Sequence, residues 1–339
     1  MRRAGQKSEA NISEVANHAG VSTATVSRVI SGVGYVSELT RKRVKNSIDV
    51  LDYQPSSIAQ SLRRKSSNMI GLIVTDIQNP FYPELVRGIE DEVHRLGYSL
   101  ILCNSDNDQE REKAYLEFLS SNRAAGIIVC ADGFVNRHRS KLLIQRSKVI
   151  LVNMQKLDND LPTVLSQDYE GGKKAASHLV NCGYPSLIYI ANELEKVSGS
   201  LRMDGVKAGA GKRPLKILYS TDTLEAGTKI FNEISKISKP PFGIVAHNDL
   251  VAIGIMHKFL ENKFRVPQDI GIVGYDDIAI SKYIFPSLTT INQNQYLLGV
   301  EAMSILHSDI KGDKNYEEKV ILSELVIRNS TMKTDNKSK

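Results

Sequence analysis

The chain has 339 residues, 41% hydrophobic and 24% charged, the balance of a globular protein with room for two or three domains. No apolar run of about 18 residues occurs, which excludes a membrane-spanning helix. The net charge of +6 lies wholly in the first fifth: residues 1–66 carry 11 Lys+Arg against 5 Asp+Glu, and the rest carries 33 of each.

Such segregation is the footprint of a basic nucleic-acid-binding segment on a neutral body. The first eight residues are basic but lead into no apolar core, so no secretion leader is expected and the predicted location is cytoplasmic. Cys103, Cys130 and Cys182 form no C-x-x-C pair. They indicate neither zinc nor disulfides, and are expected to pack as small residues in a reducing compartment.

Ile12, Val15, Ala16 and Ala19 recur at helical spacing, and Val26, Val29 and Ile30 do so again. Gly20 ends the first helix in a left-handed turn and Ser22 stands at the N-cap of the second. Two short helices across a tight turn form a helix-turn-helix. The second helix turns Ser22, Thr23, Ala24, Thr25, Ser27 and Arg28 outward. Small groups let a helix sit deep in the major groove, and one guanidinium can pair with guanine. Ser37 then caps a third helix, about Glu38 to Leu51, whose Val44, Ile48 and Leu51 close a small core. Residues 55–65 follow, with Pro55 at the start and Arg63, Arg64 and Lys65 at the end. A helix this short is marginal alone.

From Met69 the pattern changes to strands alternating with helices. Strands are expected at 69–74, 99–103, 126–130 and 148–152, and again at 187–191, 215–219, 242–246 and 270–274. Helices are expected at 81–96, 110–121, 171–181, around Arg202, and at 223–237 and 250–262. The rhythm predicts two doubly wound lobes of parallel sheet, with a ligand cleft at the carboxyl ends of the strands. Asp76, Asn153, Asn248 and Asp276 all lie just after a strand. Asp276 and Asp277 could instead cap a following helix, Phe81 and Tyr82 could be plain core, and Asn153 a turn residue. No P-loop, G-x-G-x-x-G after a strand, H-E-x-x-H or G-x-S-x-G is present, so no enzyme and no cofactor is indicated.

Val15-Ala16, Ala19-Gly20-Val21-Ser22, Ala24-Thr25-Val26-Ser27-Arg28-Val29 and Tyr35-Val36-Ser37 resemble the LacI/GalR family of bacterial transcription regulators. The likeness continues through Asp76-Ile77-Gln78-Asn79-Pro80-Phe81-Tyr82, Arg202-Met203-Asp204-Gly205, His247-Asn248-Asp249, Gly274-Tyr275-Asp276-Asp277 and Pro286-Ser287-Leu288-Thr289-Thr290-Ile291. It covers roughly residues 12–328. The resemblance implies an all-α helix-turn-helix headpiece (1–54) and a hinge helix (55–66). A periplasmic-binding-protein-like α/β body of two doubly wound lobes (67–330), which also dimerises, and a polar tail (331–339) follow. It implies a homodimer on near-palindromic double-stranded operator DNA, with no membrane. Ala59, Leu62 and Arg63 of paired hinges meet the minor groove, Leu62 as the wedge. In the cleft, Arg202, Asn248 and Asp276 grip a small sugar or sugar-acid effector, Phe81 and Tyr82 pack on its apolar face, and Asn153 bonds at the mouth. Lys196 beside Arg202 suits an anionic sugar.

This chain departs from the pattern in two places. Many members carry Asp where Asn153 stands. The stretch 203–214, with Gly209, Gly211 and Pro214, is short and implies a curtailed helix. The alternatives to a sugar-controlled repressor are control by a phosphocarrier protein partner and a sugar-binding transport protein. The phosphocarrier branch resembles Ala302-Met303-Ser304-Ile305-Leu306 but has a basic residue near Ser304.

Overall fold

The computed structural model describes residues 10–32, 34–53, 67–131, 134, 138, 147–154, 161–193, 200–313 and 319–332. It divides into two compact units, Met1–Ser67 and Asn68–Lys339.

The first unit is three helices: α1 (Ile12–Ala19), α2 (Thr23–Ser31) and α3 (Glu38–Val50). Asn11 caps α1 by accepting from the Ser13 and Glu14 amides, and Glu14 accepts in return from the Asn11 amide. Gly20 closes the helix with left-handed backbone at φ 65. The Ser22 and Ser37 hydroxyls cap α2 and α3 through the Thr25 and Thr40 amides. Val15, Ala16, Ala19, Val26, Val29 and Val44 form the buried core. Each fully buried valine contributes about 1.5–3 kcal/mol, enough to hold helices too short to persist alone. Ser47 donates to the Arg43 carbonyl at 2.9 Å and therefore accepts from His18 Nδ1, also at 2.9 Å, which ties α1 to α3.

The second unit holds the two expected lobes. In the first, β1 (Met69–Val74), β2 (Ser99–Asn104), β3 (Gly126–Cys130), β4 (Lys148–Val152), β5 (Thr163–Ser166) and β11 (Lys319–Ile321) make one sheet in the order β11-β5-β4-β3-β1-β2. Every neighbouring pair is parallel. In the second, β6 (Leu187–Asn192), β7 (Leu215–Ser220), β8 (Phe242–Ala246) and β9 (Ile270–Val273) are parallel in the order β7-β6-β8-β9. The central strands are buried along their length, as continuous apolar runs require when helices cover both faces. The helices are α4 (Phe81–Arg95), α5 (Gln109–Ser121), α6 (Asp168–Asn181), α7 (Leu201–Ala210), α8 (Leu224–Ile237), α9 (Asp249–Glu261) and α10 (Gln295–Lys311).

Among the described residues the chain crosses between lobes three times. The first crossing lies between β5 and α6. The second runs from β10 (Thr290–Asn292) into α10, which packs Leu298, Ala302, Met303 and Leu306 into the first-lobe core. The third joins β11 to β12 (Glu324–Val326), which pairs antiparallel with β10. The sequence reading marked neither α10 nor β5, β10, β11 and β12. The polar tail also begins later than expected. Thr331 is buried, with its hydroxyl 2.8 Å from both His178 Nε2 and Thr289 Oγ1, and the Met332 carbonyl accepts from Cys182 Sγ at 2.9 Å. These bonds make 331 and 332 part of the body. No helix of the described residues is long and apolar enough to cross a membrane.

Candidate functional site

Two surfaces hold the residues singled out from the sequence. On α2, Ser22, Thr23, Ala24 and Arg28 are exposed, while Thr25 and Ser27 are half-buried. Ser22 and Thr25 hydroxyls are 3.0 Å apart and are spent on the cap. Thr23, Ala24 and Arg28 therefore stand proud of a rim of hydroxyls. The Arg28 stem lies against Gly34, where a Cβ would stand 3.6 Å from Arg28 Cδ. Ala59, Leu62 and Arg63 of the hinge lie outside the described residues, as does Lys196.

The second surface is the floor of the cleft, at the carboxyl ends of the strands. Arg202 is in the first turn of α7. Its Nη2 donates to Asp168 Oδ1 at 3.0 Å, its Nη1 donates to the His247 carbonyl, and its guanidinium carbon lies 3.6 Å from the centroid of the Tyr275 ring. The Tyr275 hydroxyl donates to the same Asp168 oxygen at 3.0 Å. This approach is possible because α6 and α7 nearly touch. A Cβ at Gly205 would meet the Tyr169 carbonyl, and one at Gly172 the Arg202 carbonyl. Of the glycines expected to shorten the helix after Arg202, Gly209 also lies against α6, where a Cβ would meet the Lys173 carbonyl, and Gly211 closes α7 after ten residues, Leu201–Ala210. Burial opposes the charge of Arg202. The fields of Asp168, Tyr275, Tyr189 and Asp276 outweigh it and hold the guanidinium well above its usual range.

Asp276 is buried, in left-handed backbone at φ 113. Its Oδ1 accepts from Gln293 Nε2 at 2.6 Å. Gln293 Oε1 accepts in turn from Asn153 Nδ2 at 3.0 Å, and Asn153 Oδ1 accepts from the Ser166 amide at 2.7 Å. The chain Asn153–Gln293–Asp276 thus spans both lobes across the crossings. Burial pushes the Asp276 carboxyl well above the usual carboxylate range, Arg202 opposes this, and Asp249 adds to it.

The other cleft candidates also have roles in the fold. Asn153 has left-handed backbone at φ 51, and both ends of its amide serve the fold. Asn248 caps α9 through the Val251 amide at 2.8 Å and donates to the Asp222 carbonyl at 3.0 Å, which leaves one N–H and one lone pair of its amide for another partner. Phe81 belongs to the first-lobe core and meets Tyr82 edge-on at 5.4 Å, while Tyr82 is half-buried with its hydroxyl 3.4 Å from the Cys130 carbonyl. Neither Asp276 nor Asp277 caps a helix. Asp277 accepts from Arg328 at 2.6 Å and Asn292 at 2.9 Å, and the 3-10 turn Ala279–Lys282 has no side-chain cap. Asp168, Tyr275 and Gln293 escaped the sequence reading as site residues. An acid opening a helix directly after a strand was the one local signal, at Asp168.

The family model described as "Bacterial regulatory proteins, lacI family" matches residues 11–56. That of "Periplasmic binding proteins and sugar binding domain of LacI family" matches residues 67–330, most of the chain. The chain belongs to the LacI family. The two matches fall one in each structural unit. Among relatives, the HTH-type transcriptional repressor PurR of Haemophilus influenzae is 35% identical over 332 residues, covering 95% of this chain and 98% of the relative. A Lac repressor dimer bound to operator and the anti-inducer ONPF superposes with a TM-score of 0.84 at 25% identity, over 96% of this chain and 100% of that one. A LacI family transcriptional regulator from Enterococcus faecium with bound ribose has a TM-score of 0.70 at 30% identity, over 78% of this chain and 98% of that one. As a LacI-family chain with this headpiece, the protein is a DNA-binding transcriptional regulator.

Proposed function

We propose that this LacI-family chain is a repressor that binds operator DNA as a homodimer, and that a small sugar held between the lobes sets its operator affinity. The network of Asp168, Arg202, Tyr275, Gln293 and Asp276 carries the reading. It places a planar donor and carboxyl acceptors at the carboxyl ends of two parallel sheets, where α/β proteins hold ligands. The ribose-bound Enterococcus faecium regulator supports a sugar. The relatives, HTH-type transcriptional repressors named PurR, support repression.

The dimer is supported by an apolar patch beside Asp276. Ile280, Tyr283 and Phe285 are 48%, 74% and 90% exposed within six residues of one another. Large side chains clustered on a surface mark an interface, and a second copy of the chain fits because the Lac repressor neighbour is a dimer. A two-fold dimer reads a near-palindromic operator, each α2 lying in one major groove.

The test is fluorescence anisotropy with genomic operator fragments, with and without neutral sugars and sugar acids. Specific binding that shifts with one sugar is the expected result. Binding to DNA that no small molecule moves would overturn effector control.

A further inference from the structure

At the far end of α6, one histidine and one cysteine face the last described stretch of the chain. His178 is in the last turn of α6 and Cys182 is its C-cap, the Cys182 amide donating to the His178 carbonyl at 2.9 Å. Residues four apart share one face of a helix, so the two side chains meet. His178 Nε2 and Cys182 Sγ stand 3.6 Å apart. His178 is buried and Cys182 half-buried.

The chain end brings two oxygen atoms to the same place. The Met332 carbonyl lies 2.9 Å from Cys182 Sγ, and the Thr331 hydroxyl 2.8 Å from His178 Nε2. Both are held there by bonds outside the cluster. Ile272 of β9 donates its amide to the Ser330 carbonyl at 2.9 Å, and Ser330 Oγ donates to the Ile272 carbonyl at 2.6 Å. The single proton of the thiol goes to the Met332 carbonyl, which leaves sulfur lone pairs toward His178. Zinc takes imidazole nitrogen at about 2.0–2.1 Å and thiolate sulfur at about 2.3 Å, tetrahedrally. Those lengths set nitrogen and sulfur about 3.6 Å apart on one cation, which is the spacing found.

We propose that His178 and Cys182 chelate a zinc ion, with the Met332 carbonyl as third ligand and a water as the fourth. The Sγ–H bond breaks, an Sγ–zinc bond forms, and one proton leaves to solvent. Thr331 keeps the Thr289 hydroxyl, 2.8 Å away, as its partner when Nε2 turns to the metal. Burial lowers the His178 pKa, which keeps the ring neutral and able to give a lone pair. Burial also pushes the Cys182 thiol up to about 11, so at neutral pH the proton stays until a cation displaces it. No group of three His, Cys, Asp or Glu side chains gathers around a metal position among the described residues. The site is therefore completed by backbone and needs the chain end docked, so zinc clips residues 331–332 to α6. The inference is independent of effector control and of DNA reading.

The test is titration of the reduced full-length chain with cobalt(II), read by absorption, and then with zinc(II). A cobalt–thiolate bond gives an ultraviolet charge-transfer band, and four-coordination gives strong visible bands. The parent should show both, and zinc should abolish them while a proton is released, read by calorimetry in buffers of different ionisation heat. Cys182→Ser should lose the ultraviolet band. His178→Gln should weaken zinc by at least about tenfold, the loss that even an outer-sphere partner costs. Zinc should raise the melting temperature of the parent and leave that of Cys182→Ser unmoved. Circular dichroism confirms that each variant folds, and if His178→Gln does not, Cys182→Ser decides alone. Absence of a thiolate band in the parent overturns the inference. So does a band that survives Cys182→Ser, or zinc affinity that neither variant moves, which would put the metal on other ligands.

Discussion

On α2, Thr23, Ala24 and Arg28 stand exposed on a nine-residue helix fixed by its own cap and a core of six buried side chains. In the body, Asp276 is buried and Arg202 half-buried, and their neighbours Asp168, Tyr275 and Gln293 bond them in place. One surface is made by local sequence and turned to the partner. The other is assembled from residues up to 140 positions apart, and its polar groups bond one another. A mutation on the first should change recognition and little else. A mutation in the second should change stability and recognition together, because the same bonds do both.

The largest effect should come from a carboxyl group buried behind the cleft. Asp249 accepts from the Ile278 amide at 2.9 Å and the Ser281 and Thr290 hydroxyls at 2.7 and 2.5 Å, and burial pushes it up to about 7. Between about pH 4 and that value the unfolded chain ionises this group while the folded chain keeps its proton. Its contribution to stability is therefore present at low pH and is lost as pH rises. His247, buried neutral, has the opposite slope, so the parent profile mixes the two. Asp249→Asn isolates one. The variant should gain on the parent by on the order of 3 kcal/mol from pH 4 to pH 7, read by denaturant unfolding. A constant difference across that range would show that Asp249 does not hold its proton.

Next comes Asp168→Ala, which leaves the Arg202 guanidinium with one partner fewer in a poorly hydrated place. The expected cost is about 2–3 kcal/mol, below that of a fully buried pair because both side chains keep some exposure. Effector affinity should fall in the same variant. Loss of affinity with unchanged stability would mean that Asp168 touches ligand and carries no structural weight.

Arg28→Ala belongs to the other side of the comparison. It should cost roughly 1–3 kcal/mol in operator binding and relax discrimination at one base pair per half-site, with the melting curve unmoved. Equal binding to operator and scrambled DNA by parent and variant would take Arg28 out of the reading set.

The same contrast explains what could be read from the sequence. Gly20, Ser22 and Ser37 act within a turn of where they stand, so α1 to α3 were legible to a residue or two. The buried parallel strands were legible because apolar runs bounded by turns have few other uses. α10 was missed because it is buried on much of its circumference, including Leu298, Ala302, Met303, Ile305 and Leu306, and shows no narrow apolar stripe. β10, β11 and β12 have three residues each, too few for any period. Arg202 was singled out through the family likeness, and Asp276 also by its place just after a strand. Asp168, Tyr275 and Gln293 were not, since their roles exist only once α6, β9 and the crossing at 293 meet.

The smallest effect tests whether the headpiece is as local as it looks. Asn11 precedes α1 and accepts from two amides, Ser13 at 3.0 Å and Glu14 at 3.1 Å, while Glu14 returns a bond to the Asn11 amide at 2.9 Å. The first turn of a helix has amides with no partner inside the helix, and this box satisfies them. Asn11→Ala should remove about 1 kcal/mol from the headpiece, seen as a lower melting point of its own transition. Asn11→Ser keeps an acceptor at the cap and should restore most of it. The body's transition should not move, because no described bond of Asn11 reaches beyond Val15. A shift of both transitions together would mean that headpiece and body unfold as one cooperative unit. The separation between a locally built reading face and a long-range cleft would then hold for structure but not for energy.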